Sequence, residues 1–290
     1  MAAPLPVCYL NGAYLPLADA RVSPLDRGFL YADGVYEVMP VYGGRPFRFA
    51  AHQQRLARSL AGIAMEDPHT PAQWRAILGG LIEHNGGGEQ YVYWQVTRGA
   101  EAGRNHAPLP EIPRTVFAFC APLPVTPADV LARGLACVTA VDTRWARCDI
   151  KSTALLANVL LRQLAVEAGA AETILLRGGE LTEASASSVH VVREGAVYVP
   201  PNSRRILPGT TRSAVEELLE RAGIRWRTAA VSEAQLRGAD EIWISAATRE
   251  VQPVTLLDGA PVGDGRPGPL WRRVHAEWEG YKRALAGTPW

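Results

Sequence analysis

Strands and helices alternate irregularly along this chain, without a β-α-β rhythm, which points to an α+β architecture rather than a doubly wound parallel sheet. VCYL and AYLPL flank Asn11-Gly12, a dipeptide that accepts the positive φ angles of a type I′ turn and so predicts a hairpin. GVYEVMPVY, Gly43-Gly44 and RPFRF read as a second hairpin. After Phe49 the spacing becomes helical, with Leu56, Leu60 and Ile63 on one stripe. A further helix starts at Thr70-Pro71, with Thr as cap and Pro in the first turn, and stops at HNGGG. YVYWQVT and TVFAFCA are strand-like and are separated by the polar loop RGAEAGRNHAPLPEIPR. Pro122-Leu123-Pro124 reads as a hinge, which predicts domains over 1–121 and 126–290 joined by a linker at 122–125.

The second half begins with a strand around LACVTAV. The apolar segment from Ala154 to Ala165 then reads as a largely buried helix. ETILLRGG, SSVHVVREG and AVYVPP are short strands, Thr210 to Ala222 is a helix closed by Gly223, and EIWIS is a buried strand. PLWRRVHAEWEGYKRALAG is an amphipathic terminal helix. With 290 residues, 48% of them apolar, the chain can bury a sizeable core in about two domains at about 150 residues each. The 30 basic and 29 acidic residues leave a net charge of +1, which gives no electrostatic footprint for nucleic acid or an acidic membrane. No apolar run is long enough to span a membrane, and MAAPLPVCYL lacks the basic and apolar regions of a secretory signal. Cys8, Cys120, Cys137 and Cys148 form no CxxC pair, so reduced thiols in the cytoplasm are expected, with no bound metal. GxGxxG and GxxxxGK[ST] are both absent, which removes the commonest nucleotide-binding readings.

Four local constellations can carry chemistry. Lys151, in CDIKSTALLANVLL, lies at the lip of an apolar segment, where a desolvated amine becomes available for Schiff-base chemistry; the alternative is a lysine that reaches solvent. Glu183, in GGELTEASASSV, lies among small residues that let a planar group approach the backbone; an exposed hairpin glutamate is the plainer reading. In LPGTTRSAVEELLE, Gly209 permits a tight turn and Thr210 and Thr211 open a helix. That is either a phosphate site or an ordinary N-cap. Arg104 and His106, two residues apart in GRNHAPLP, point to one side of an extended loop and can clamp a carboxylate, unless they simply face solvent.

These constellations share one chain order with YLNGAYLPLADARVSPLDRGFLYADGVYEV, the HQQRL helix, LTEASASSV, RILPGTTR and EIWISAATREVQPV. Taken together, the sequence resembles the fold-type IV, pyridoxal-phosphate-dependent aminotransferases of class IV, and within them the D-amino-acid transaminase group. The resemblance covers nearly the whole chain. It implies a smaller N-terminal α/β domain and a larger C-terminal, β-barrel-like domain that binds pyridoxal 5′-phosphate. Lys151 matches the lysine that holds the cofactor as a Schiff base, and Glu183 the carboxylate paired with the pyridine nitrogen. Arg55 matches the phosphate-binding arginine, Thr210 and Thr211 the helix start that cups the phosphate, and Leu207 the residue packed against the ring. Tyr36 matches an active-site tyrosine near the substrate carboxylate. Arg104-Asn-His106 matches the Arg-x-His carboxylate trap of the D-amino-acid group, supplied across a homodimer interface.

The implied activity is ping-pong transamination between D-amino acids, of the D-alanine and D-glutamate type, and 2-oxo acids. The chain departs from the pattern in three places. Ser245-Ala246-Ala247-Thr248 replaces a run that is often Ser-Ser-Thr-Thr, so Ala247 reaches the phosphate without a hydroxyl. Pro40 and Ser188 stand where lysine and asparagine are frequent. Branched-chain L-amino-acid transaminases, (R)-amine transaminases and aminodeoxychorismate lyases share the core residues, but an Arg-x-His pair is not expected of the two transaminases. A non-catalytic cofactor-binding protein would not need both Lys151 and Glu183.

Overall fold

Asn11 and Gly12 take φ angles of 47° and 101°, and their turn joins β1 (Val7–Leu10) to β2 (Ala13–Pro16) with Leu10 opposite Ala13. After the short helix α1 (Arg27–Tyr31) come β3 (Gly34–Tyr42) and β4 (Arg45–Pro46), turned at Gly43-Gly44. RPFRF is strand only in its first two residues, because the chain turns at Phe47 and Arg48 into helix α2 (Phe49–Gly62). Helix α3 (Pro71–His84) has the expected Thr70 cap, which accepts from Gln73 N, and the Gln73 side chain adds a bond back to the Thr70 amide. Strands β5 (Gln90–Thr97) and β6 (Thr115–Pro122) complete a six-stranded antiparallel sheet in the order β2-β1-β6-β5-β3-β4.

The computed structural model describes residues 3–285, which fall into two units. The first holds this sheet with α1, α2 and α3. Alternation along the strands sends Val35, Met39, Val92, Trp94 and Val96 into a core with Leu56 and Leu60 of α2 and Trp74, Leu78 and Leu81 of α3. Ile150–Leu155 belongs to this unit as well: Ile150 enters the same core and Ser152 pairs with Val35. Lys151 therefore lies in the first unit, not in a second domain running unbroken from residue 126. Only spatial pairing assigns that six-residue excursion, and linear sequence does not carry it.

The second unit contains α4 (Ala128–Arg133), β7 (Leu135–Val141), α5 (Leu156–Glu167), β8 (Glu172–Arg177), β9 (Glu180–Ala184), β10 (Ser188–Arg193) and β11 (Ala196–Val199). It continues through α6 (Thr210–Arg221), β12 (Trp226–Thr228), α7 (Glu233–Arg237), β13 (Glu241–Ala246), β14 (Glu250–Leu257), β15 (Ala260–Pro261) and α8 (Pro269–Leu285). Its nine strands form a curled mixed sheet in the order β12-β11-β10-β13-β14-β7-β8-β9, with β15 added to β14. Val189, Val191, Ile242, Ile244, Ile174 and Val254 make its core.

Helix α5 corrects the expectation of a buried helix. Within this chain only Leu161 and Ala165 are buried, while Leu156, Val159, Leu160, Leu164 and Val166 are exposed. An apolar pattern reports that a face avoids water; it does not say which molecule covers that face. Among the described residues no helix is long and apolar enough to cross a membrane.

Candidate active site

In the first unit, β3 presents different residues to its two faces. Tyr36 lies on one, stacked on Tyr93 with ring centroids 5.5 Å apart, and the Nζ of Lys151 sits 4.1 Å from the centre of the Tyr36 ring. Two hydrogen bonds fix the Lys151 backbone. Its N–H donates to Ser59 Oγ (3.1 Å), and its carbonyl accepts from Tyr36 N (3.0 Å).

Glu37 lies on the opposite, core-facing parity and is fully buried. Arg55 grips its carboxylate with a two-pronged fork, Nε to Oε1 and Nη2 to Oε2, both 2.7 Å, while His52 Nδ1 lies 2.8 Å from Oε2. Burial alone would push the Glu37 carboxyl up, but Arg55 and His52 bring it down to about 2; burial likewise lowers His52. Glu37 belongs to none of the four constellations legible in the sequence. The signal was a lone acid on the apolar parity of Val35-x-Glu37-x-Met39.

Arg104 and His106 sit in the exposed loop between β5 and β6. The structure brings them together on one ring: Arg104 Cζ is 4.9 Å from the centre of Tyr31, and the His106 and Tyr31 centroids are 5.5 Å apart.

In the second unit, Glu183 near the end of β9 is buried, not an exposed hairpin glutamate. Its Oε1 accepts from Arg144 Nη1 and from the backbone N–H of Leu207 (3.1 Å). Among the described residues Oε2 accepts no hydrogen bond. Burial pushes this carboxyl upward, and Arg144 and the Leu207 amide oppose that shift. Arg144, also outside those constellations, is itself held by Asp142, Nε to Oδ1 and Nη2 to Oδ2, both 3.0 Å. An arginine buried two residues beyond an aspartate leaves no periodic trace, so no sequence signal marked it.

Helix α6 begins at Gly209, and no side chain caps it. Thr210 and Thr211 are buried in its first turn, so the ordinary threonine N-cap is not what this end uses. The glycine leaves room for Ser188, whose Oγ would have to shift from a Cβ placed 2.8 Å away. Such a start, with backbone donors and the positive end of the helix dipole, is suited to an anion. Ala247 lies in the turn after β13. The hydroxyl of neighbouring Ser245 is already engaged with His190 Nε2 (2.9 Å), in a histidine that burial holds neutral at about 3.

The family model for "Amino-transferase class IV" matches residues 34–257. The chain is a class IV aminotransferase. Two similar proteins are D-alanine aminotransferases. That of Bacillus licheniformis is 39% identical over 264 residues, covering 91% of this chain and 93% of its own. That of Staphylococcus aureus strain MSSA476 is 36% identical over 274 residues, covering 94% and 96%. Among solved structures, the T.th. branched-chain amino acid aminotransferase with pyridoxamine 5′-phosphate matches with a TM-score of 0.89 at 27% identity, over 98% of this chain and 95% of that one. The Escherichia coli branched-chain amino acid aminotransferase shares the fold, with a TM-score of 0.92 at 24% identity over 99% and 97%.

The aminotransferase is pyridoxal-5′-phosphate-dependent and acts on an amino acid and a 2-oxo acid. Its own residues fit that cofactor. The buried Glu183 has an oxygen without a hydrogen-bond donor, as an acceptor for a ring N–H requires, and α6 starts without a cap, as a phosphate requires.

Proposed function

We propose that this aminotransferase carries amino groups between D-amino acids, of the D-alanine and D-glutamate type, and 2-oxo acids in a ping-pong cycle. The observation that carries this reading is the seating of Arg104 and His106 on the single ring of Tyr31, which holds two carboxylate-binding groups at one place. The relatives named D-alanine aminotransferase, at 36% and 39% identity, support it.

When bound, the cofactor supplies an electron sink for the carbanion at the substrate Cα. Lys151 would hold the cofactor through Nζ, and the same atom would take up and return the Cα proton. Glu183 Oε2 would accept from the pyridine N–H, and Arg144 opposes the upward push of burial on that carboxyl. Leu207 orients Glu183 through its amide and would pack against the ring. Arg55, aimed by Glu37 and His52, binds the phosphate with the amides of Thr210 and Thr211, and Ala247 contributes main chain only. Tyr36, Arg104 and His106 fix the α-carboxylate and so decide which enantiomer turns its Cα–H toward Lys151.

The working form in this reading is a homodimer. Support comes from α5, whose Leu156, Val159 and Leu160 are 73%, 59% and 61% exposed and form an apolar face of the kind a second copy covers. Light scattering on wild type and Leu160→Glu tests this: a dimer that becomes a monomer supports it, and a wild-type monomer overturns it. A cytoplasmic location accords with four buried, unpaired cysteines.

A panel of D- and L-amino acids with pyruvate or 2-oxoglutarate, followed by chiral analysis of the products, tests the substrate class. D-alanine and D-glutamate should be converted and give D-products. Preference for branched-chain L-amino acids would overturn the D-amino-acid reading and leave family membership untouched.

A further inference from the structure

We propose that Arg27 is the positioning residue of the carboxylate-binding pair: it docks the loop that carries Arg104 and His106 and thereby sets the affinity for the substrate α-carboxylate. This rests on the reading of Arg104 and His106 given above.

Residues 102–111 are all exposed and contain no regular secondary structure, so no core of their own holds them in shape. Their principal anchor among the described residues is a buried guanidinium at the start of α1. Arg27 Nη1 donates to the Glu101 carboxylate and to the carbonyl of Asn105 (2.6 Å); Nη2 donates to the carbonyl of His106 (3.0 Å), and Nε to Asp33 Oδ2 (2.8 Å). Two of these bonds therefore grip the backbone at and beside His106, one residue past Arg104. The same guanidinium lies 4.7 Å from the centre of the Tyr31 ring, on which Arg104 and His106 also rest.

The base of the loop is pinched onto the same element. Arg27 N donates to the carbonyl of Gly99 (2.9 Å), and Gly99, at φ 102°, approaches Pro113 so closely that a Cβ would fall 1.9 Å from its carbonyl oxygen. Glu101 Oε2 closes the loop by accepting from Leu109 N (3.0 Å). Charge follows the same plan. Asp33 and Glu101 compensate Arg27, so Arg104 is the cation presented in the exposed loop. A planar fork of donors is needed to reach two carboxylates and two carbonyls at once, and a lysine ammonium cannot span them.

The test compares Arg27→Lys, Glu101→Gln and Arg104→Ala in the cofactor-loaded enzyme, with steady-state kinetics on D-alanine, cofactor dissociation and amide exchange across residues 99–112. For Arg27→Lys the expected result is a KM for D-alanine raised about tenfold or more with kcat within about threefold, because a binding contact and not a transition-state contact is loosened. Exchange at residues 105–109 should accelerate, with cofactor dissociation unchanged. Glu101→Gln keeps shape and removes one charge; it should move KM and exchange in the same direction by less, and it decides the matter if Arg27→Lys does not fold. An unchanged KM in Arg27→Lys beside a raised KM in Arg104→Ala overturns the positioning role alone. An unchanged KM in Arg104→Ala overturns the carboxylate reading beneath it. Equal losses in kcat and cofactor binding in Arg27→Lys would show a general structural role and also overturn the proposal.

Discussion

Replacing Glu37 by Gln tests how the first unit holds Arg55. The substitution conserves shape but leaves the Arg55 cation and His52 facing a neutral amide in a fully buried position. Of the two carboxylate oxygens that now accept from the fork, one becomes an NH2 group directed at a donor. The scale follows from proton affinity: the fall from 4.5 to about 2 corresponds to about 3 kcal/mol at about 1.36 kcal/mol per pH unit. Breaking a buried ion pair on one side gives a similar loss, about 3–5 kcal/mol.

The sign is fixed by the depressed folded-state value. Stability from Glu37 is fully present above the unfolded value of 4.5 and disappears as pH falls toward 2. Urea unfolding of the cofactor-free protein at pH 7 and pH 3 reads this directly. Glu37→Gln should lie about 3–5 kcal/mol below wild type at pH 7, and the gap should narrow by about 2 kcal/mol at pH 3 as wild type loses its own contribution. Cofactor should also bind about tenfold more weakly, because Arg55 is no longer aimed. A deficit equal at both pH values, or no deficit at pH 7, would refute the view that an ionised Glu37 organises Arg55.

Other outcomes follow from the same geometry. Borohydride should fix the cofactor to Lys151 and nowhere else by peptide mapping, and Lys151→Ala should lose turnover. Glu183→Gln should fold, because Asp142 still holds Arg144 through two bonds, but its half-reaction should slow by about ten- to 150-fold, the worth of a charged hydrogen bond of about 1.5–3 kcal/mol. Unchanged stopped-flow rates would remove Glu183 from the chemistry. Ala247→Thr should tighten cofactor binding by a measurable factor in equilibrium dialysis, since the Ser245 hydroxyl is turned toward His190.

What was legible in the sequence was local. The Asn11-Gly12 turn, the Thr70-Pro71 start of α3 and the α6 start each depend on residues within about four positions of one another, and each was read from the chain. The groups that keep the candidate site residues in place are not local. Arg144 reaches Glu183 across 39 positions, Arg55 reaches Glu37 across 18, and Arg27 reaches the His106 carbonyl across 79. Strand order sets those distances: β3 lies between β4 and β5, which brings the two ends of the 98–114 loop beside α1 without any motif recording it. The same logic explains α5, where the pattern correctly shows a face that avoids water but its cover is not within the fold. Buried charges in this aminotransferase therefore divide into those set by a motif and those set by topology. Glu183 is of the first kind. Glu37, Arg144 and Arg27 are of the second, and each orients a motif residue: Glu37 holds Arg55, Arg144 holds the Glu183 carboxyl, and Arg27 holds the loop of Arg104 and His106.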